Sequence, residues 1–260
     1  RSFLRNKYSN NIQVLNKTWG TAFWSQIYSS FDQINFPLPS NWGQNPHQML
    51  DFRRFNAYQT ASFLDEQAAE IRKFSNPDQW ITSNYIPDYQ AGHIGLSKLF
   101  DFYSYTRYIV SGGLGIGQKG YRIGDPMLIP FANDFFRPIG GIYGVMELQP
   151  GQVNWGSINP QPYPGAVRLW LWSVFAGGSD FTCTYRFRQP IYGDEQYHAG
   201  IVGTDGVTPS RGGLEYQQVI KDTAKLRKEY NAKATQPATY VKRKTAILYN
   251  VDNTWSMSKQ

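Results

Sequence analysis

The chain has 260 residues, 41% of them apolar and 17% charged, with a formal net charge of +7. That is an ordinary globular balance, long enough to bury a sizeable core in one large domain or two smaller ones. A single cysteine, Cys183, excludes an intrachain disulfide and a cysteine zinc cluster, and no apolar run reaches the length of a membrane-spanning helix.

Residues 1 to 30 read as helical, on the apolar set Phe3, Leu4, Tyr8, Ile12 and Leu15. The opening "RSFLRNKYSN" has no methionine before it and reads as the middle of a longer polypeptide. "TWGTAFWSQIYSSFDQI" then crowds aromatic rings together, and "NFPLPSNWGQNP" is loop by its Pro and Asn content. Ala57, Ala61, Leu64, Ala68 and Ile71 recur at steps of 4, 3, 4 and 3, one apolar face of a helix that "SNPDQ" ends. "WITSNYIP" reads as a short strand, "LSKLFDFYSYTRYIV" as a helix end plus a strand, and "GGLGIGQKGYRIGDP" as a glycine-rich loop. "IYGVMELQP" is a strand, "GAVRLWLWSVFAGG" a helix closed by glycines, and "DFTCTYRFR" a strand. A loop through "IYGDEQYHAGIVGTDGVTPSRG" leads to a helix with Tyr216, Val219, Thr223, Leu226 and Tyr230 at steps of 3, 4, 3 and 4. "NAKATQPAT" is a linker, and "KTAILYNVD" reads as the first strand of a second domain.

Helices and short apolar strands thus alternate from about residue 50 to 230, the pattern of parallel βα units with both sheet faces covered. Chemistry in such folds gathers at the C-terminal ends of strands. Tyr108, Glu147, Trp155 and the loop from Glu195 to His198 all fall at such ends. Four such units make half of an eight-stranded barrel, and an open half barrel leaves strand edges bare.

"GIGQKG" fits the pattern G-x-G-x-x-G, but "YRIGDPM" follows with no helical period to receive a phosphate, so it reads as a loop. Glu147 is a carboxylate inside the apolar run "GVMELQP", with Trp155 eight residues on. A carboxylate ending a barrel strand among aromatics suits glycoside hydrolysis, which needs a second carboxyl group about 5–5.5 Å away when configuration is retained. In "GDEQYHAG", Glu195 and His198 either bond sugar hydroxyls or cap the next helix. His47 and His93 sit in polar loops and read as structural, and no histidine pair makes a metal motif. The 42 aromatic residues fill core and can build sugar platforms. The positive charge permits nucleic acid as a partner, but the only dense basic run is Lys242-Arg243-Lys244, so no nucleic-acid partner is expected.

"NKTWGTAFWSQIYSSFDQI", "MELQPGQVNW", "PGAVRLWLWSVFAGGSD" and "GDEQYHAGIV", in this order and at these distances, resemble glycoside hydrolase family 42, the bacterial β-galactosidases. The resemblance implies an α/β fold: a (β/α)8 TIM barrel, of which residues 1–232 supply the C-terminal half. Residues 233–260 are then a linker and the first strand of a following α/β domain of the kind involved in trimer formation. It implies a retaining β-galactosidase acting on terminal β-D-galactosyl residues, with Glu147 as nucleophile. Trp155 matches the tryptophan that contacts galactose, and Glu195 and His198 match residues that bond sugar hydroxyls. Trp24 matches a tryptophan lining the site, with Trp19 a weaker match. Tyr108 aligns with a tyrosine touching the nucleophile, and Tyr185 with an aromatic on the last strand. "CTYRFR" departs from the more common aromatic-Gln-Trp-Arg pattern at Tyr185 and Arg186.

The acid/base Glu of the family lies upstream of "RSFLRNKY", so the N-terminal half of the barrel is required. The alternative is a catalytically incomplete, carbohydrate-binding half barrel. The implied partners are a galactoside substrate and, for the full-length protein, a homotrimer, with no cofactor, metal, nucleic acid or membrane. The compartment stays open between bacterial cytoplasm and periplasm.

Overall fold

The computed structural model describes residues 1–38, 43–86, 94–110, 120–230 and 244–257. The glycine-rich loop around Gly115 and Gly117, His93, the linker from 233 and Lys242-Arg243 lie outside the described residues. The chain divides into two compact units.

The first unit holds residues 1–76, 89–99 and 247–260. Its helices are α1 (Ser2–Lys7), α2 (Ile12–Trp19), α3 (Pro46–Arg72) and, after the linker, α7 (Val251–Met257). The single helical reading of residues 1 to 30 is corrected: Ser9 and Asn10 turn left-handed, at φ of 51° and 53°. Asn11 then caps α2, its side chain accepting from the backbone N–H of Gln13 and Val14. Helix α3 starts where Asn45 caps and Pro46 supplies a first residue with no N–H to lose. Tyr8, Leu15, Trp19, Phe31 and Ile34 form the unit's apolar core. Beside it Asp51 is buried and accepts from Lys7 Nζ, Tyr8 Oη at 2.5 Å, Trp19 Nε1 at 3.1 Å and Arg54 Nη1 at 3.1 Å.

The strand expected in "KTAILYNVD" is not present. Residues 244–250 carry no regular structure, with Ile247 and Leu248 almost fully exposed, and the chain turns helical at Val251. A β pattern becomes a strand only when a neighbouring strand completes its ladder, and among the described residues none pairs with it. Helix α7 instead meets α3, where Arg54 holds Asp252 at 2.6 Å and Arg53 donates to the Trp255 carbonyl at 2.9 Å.

The second unit holds residues 77–88 and 100–246. Its sheet is β1 (Asn84–Tyr85), β2 (Tyr103–Arg107), β3 (Tyr143–Leu148) and β4 (Phe181–Thr184), in that order and parallel throughout. Helices α4 (Leu128–Gly140), α5 (Ala166–Ala176) and α6 (Arg211–Glu229) complete the unit. The sequence reading misses α4, because Pro130 and Pro138 interrupt it. Pro130 falls in the first turn, where no N–H is needed, and Pro138 in the last. The helix end expected in "LSKLF" is a turn.

Tyr85 and Tyr105 pack toward Phe136 of α4, Tyr105 Oη donates to Asn133 at 2.7 Å, and Tyr143 Oη donates to the Gly177 carbonyl at 2.6 Å. These residues define the helix-covered face. Asn84, Ser104 and Gly144 are register neighbours on the other face. Strand β3 then carries one extra residue. Tyr105 pairs with Val145, but Thr106 pairs with Glu147, so Met146 has no counterpart. Strict alternation from Tyr143 would send Glu147 toward the helices. The bulge returns it to the face of Asn84 and Thr106.

Glycines let the loop after β3 sit against α6. A Cβ on Gly212 would lie 1.7 Å from the Pro150 carbonyl oxygen. Gly212→Ala is therefore expected to cost roughly 1–3 kcal/mol, a melting loss of about 2–4 °C for each kcal/mol, read by thermal unfolding.

Candidate active site

Glu147 is the penultimate residue of β3 and is half-buried. Its two oxygens have separate donors. Tyr108 Oη, one residue past the end of β2, donates to Oε2 at 2.8 Å. Asn84 Nδ2, on β1, donates to Oε1 at 3.1 Å and to Thr106 Oγ1 at 3.2 Å. Burial, the hydrogen bond to Glu147 and that carboxylate's charge all push the Tyr108 hydroxyl far above its ordinary pKa. Tyr108 thus stays a protonated donor at every pH at which proteins stay folded.

Aromatic rings surround this pair. Trp155, about half exposed on the loop after β3, meets Tyr108 edge-to-face with centroids 4.9 Å apart. Tyr108 and Tyr185 flank the His198 ring edge-on at 5.9 and 5.4 Å. Tyr185 Oη donates to Glu195 Oε2 at 2.6 Å, and Arg186 Nη1 stands 3.4 Å from the same oxygen. The hydrogen bond to Glu195, then burial, raises the pKa of Tyr185. Both partners of Glu195 are donors, which leaves this carboxylate an acceptor.

His198 is fully buried, and burial lowers its pKa, so the neutral ring dominates near pH 7. Its Nδ1 lies 3.0 Å from the Ala199 carbonyl, which requires the proton on Nδ1. Nε2 is then a lone-pair acceptor, and among the described residues it has no partner.

The structure therefore brings Glu147, Trp155, Glu195, His198, Tyr108 and Tyr185 into one connected group at the C-terminal ends of the parallel strands. Trp24 belongs to the first unit, in a turn at Phe23–Ser25, where it is exposed, left-handed at φ 54° and stacked on Phe23 at 4.6 Å. Trp19 is buried beneath Asp51 and serves that unit's core. Sequence reasoning missed Asn84 and Gln149. Asn84 lies on a strand two residues long, too short for its direction to be read. Gln149 is fully buried, and its amide bonds backbone alone, a role with no sequence signature. Among the described residues no helix is long and apolar enough to cross a membrane, and no three His, Cys, Asp or Glu side chains gather as a metal site.

Comparison with known proteins agrees with this geometry. A family model described as beta-galactosidase, glycoside hydrolase 42, matches residues 1–226. The chain is 35% identical over 238 residues to beta-galactosidase BgaA of a Thermus species, covering 87% of this chain and 36% of the relative. It is 31% identical to beta-galactosidase Bga of Halorubrum lacusprofundi, over 100% of this chain and 36% of the relative. The solved beta-galactosidase of the psychrophilic Marinomonas ef1 superposes with a TM-score of 0.87 at 30% identity, over 99% of this chain and 40% of that one. The haloarchaeal enzyme from Halorubrum lacusprofundi gives 0.88 at 30% identity, over 100% and 38%. The chain spans a little over a third of the length of the curated relatives it matches. Its four parallel strands are part of a TIM barrel.

Proposed function

The chain belongs to glycoside hydrolase family 42, the beta-galactosidase family whose model it matches, and from that membership we propose that it is the C-terminal barrel half of a retaining β-galactosidase. Residues 1–232 belong to the barrel in this reading, and residues from 233 begin the connection to a following domain involved in a homotrimer. The observation that carries the reading is the strand-end carboxylate Glu147, held through both oxygens by Tyr108 and Asn84 beside Trp155 and His198.

Glu147 attacks the anomeric carbon of a terminal β-D-galactosyl residue and forms a galactosyl-enzyme. The glycosidic oxygen leaves with a proton from an acid/base Glu that precedes this chain in the complete polypeptide. Water gives a proton back to that Glu and attacks the same carbon, which frees Glu147 and restores the β configuration. Tyr108 and Asn84 fix the carboxylate so that an oxygen faces the sugar, a positioning effect worth several kcal/mol when geometry is tight. Trp155 packs on the sugar. His198 Nε2 and Glu195 accept from its hydroxyls, so an epimer that misplaces a hydroxyl leaves a buried acceptor unpaired and is rejected.

The complete polypeptide is expected to release nitrophenol from a nitrophenyl β-D-galactoside, with β-galactose as the first product seen by proton NMR. First formation of α-galactose would overturn the retaining assignment. A second reading, a carbohydrate-binding half barrel without hydrolysis, is favoured for the isolated 260 residues by Glu195. Its Tyr185 and Arg186 partners hold it in place as a hydrogen-bond acceptor, which suits binding. Turnover by the purified 260-residue chain alone would rule that reading out.

A further inference from the structure

We infer that Gln149 is a positioning residue, whose amide ties the loop carrying Tyr108 to the loop that follows Glu147. The inference rests on the galactosidase reading above.

Gln149 comes two residues after Glu147 and is completely buried. Its Oε1 accepts from the backbone N–H of Ile109 and of Val110, both at 2.8 Å. Its Nε2 donates to the Val110 carbonyl at 2.7 Å and to the Gly151 carbonyl at 2.8 Å. A glutamine amide offers two donor hydrogens and two acceptor lone pairs, and all four are used.

Three of these bonds grip the segment that starts one residue after Tyr108, and the fourth folds the amide back onto its own loop. Backbone past the end of a strand has no ladder to fix it, so a side chain replaces the missing sheet bonds. The tie sits where the Tyr108–Glu147 hydrogen bond must keep its 2.8 Å geometry. The same loop continues outward, where the Gln152 carbonyl accepts from Ala199 N–H at 2.8 Å, next to His198. The loop after β3 thus anchors a neighbour on each side, and Gln149 is the side chain that does so toward Tyr108.

The test uses the complete polypeptide and a nitrophenyl β-galactoside. Gln149→Met keeps the length and removes all four bonds. Gln149→Asn keeps the amide and draws it back by one methylene, and it carries the comparison if Gln149→Met does not fold. Each is made alone and in a Tyr108→Phe background. Loss of positioning of this size is expected to lower kcat roughly 10- to 100-fold with KM within about threefold. In the Tyr108→Phe background the further loss should be less than about threefold, because the group that Gln149 positions no longer bonds Glu147. Losses that simply multiply in the two backgrounds, or a raised KM with unchanged kcat, would overturn the inference while wild-type turnover keeps the galactosidase reading. Absence of wild-type turnover would overturn that reading and this inference with it.

Discussion

Glu147→Gly in the complete polypeptide is expected to lower kcat/KM for a nitrophenyl galactoside by about 10⁴-fold or more, the scale seen when a covalent nucleophile is removed. The fold should survive. Glu147 is only half-buried, and Asn84, one of its two donors, is itself exposed. Azide should then restore turnover. The small anion fits where the carboxylate was and attacks the anomeric carbon from the same side. It displaces the nitrophenolate once and yields an α-galactosyl azide, with configuration inverted instead of retained. Two outcomes sink the assignment: residual activity above about one part in a hundred, or no azide product by NMR. A melting temperature that falls with the activity would instead mark Glu147 as structural, since loss of chemistry alone leaves the unfolding transition in place.

The second large effect lies far from any chemistry. Asp51→Ala is expected to destabilise the first unit by about 2–4 kcal/mol, because Lys7, Tyr8 and Trp19 lose the buried carboxylate they share, while Trp19 keeps its bond to Tyr8 Oη. That is a large share of the roughly 5–15 kcal/mol that holds a domain folded. The same cluster sets a pH dependence. Burial alone would push the Asp51 carboxyl up, but the bonds from Lys7, Tyr8 and Trp19 outweigh it and hold the group below its ordinary value. A folded pKa below the unfolded one means that the unfolded chain binds the proton more readily. The stabilisation is therefore complete above about pH 4, the ordinary aspartate value, and drains away as pH falls through the lower folded value. Melting followed by circular dichroism from pH 7 down to about pH 2 should show this acid limb. Asp51→Asn, which cannot titrate, should flatten it. An unchanged limb would place the acid sensitivity elsewhere.

Much of this was legible in the sequence, for physical reasons that differ by element. The α3 pattern of Ala57, Ala61, Leu64, Ala68 and Ile71 shows because one helical face must be apolar, and the observed helix extends it from Pro46 to Arg72. The parallel strands show as short runs rich in aromatic and β-branched residues between turns, even where polar residues alternate with the rings, as in Tyr103–Arg107. Helix α4 is hidden by its prolines: Pro130 sits in the first turn, where no N–H is needed, and Pro138 gives up one hydrogen bond in the last turn. "KTAILYNVD" misleads in the opposite way, since β-branched and aromatic residues express a preference that only a pairing strand can realise. At the site, Glu147, Trp155, Glu195, His198, Tyr108 and Tyr185 are found through long, unusual stretches of sequence. Asn84 and Gln149 act through hydrogen bonds between segments far apart in the chain, and no local pattern announces such bonds.

The bulge at Met146 has a consequence for how this stretch can change over time. What the position supplies first is a count. The register needs a residue in the extra place to keep Glu147 turned toward Asn84 and Tyr108, so an apolar residue of similar size there preserves the geometry. Removing the residue changes the parity of the strand and turns the carboxylate into the helix interface, while leaving every other letter of "GVMELQPGQVNW" in place. Along β3 the tolerated edit is such a substitution at 146 and the forbidden one is a deletion, so the length of this short strand is itself inherited information.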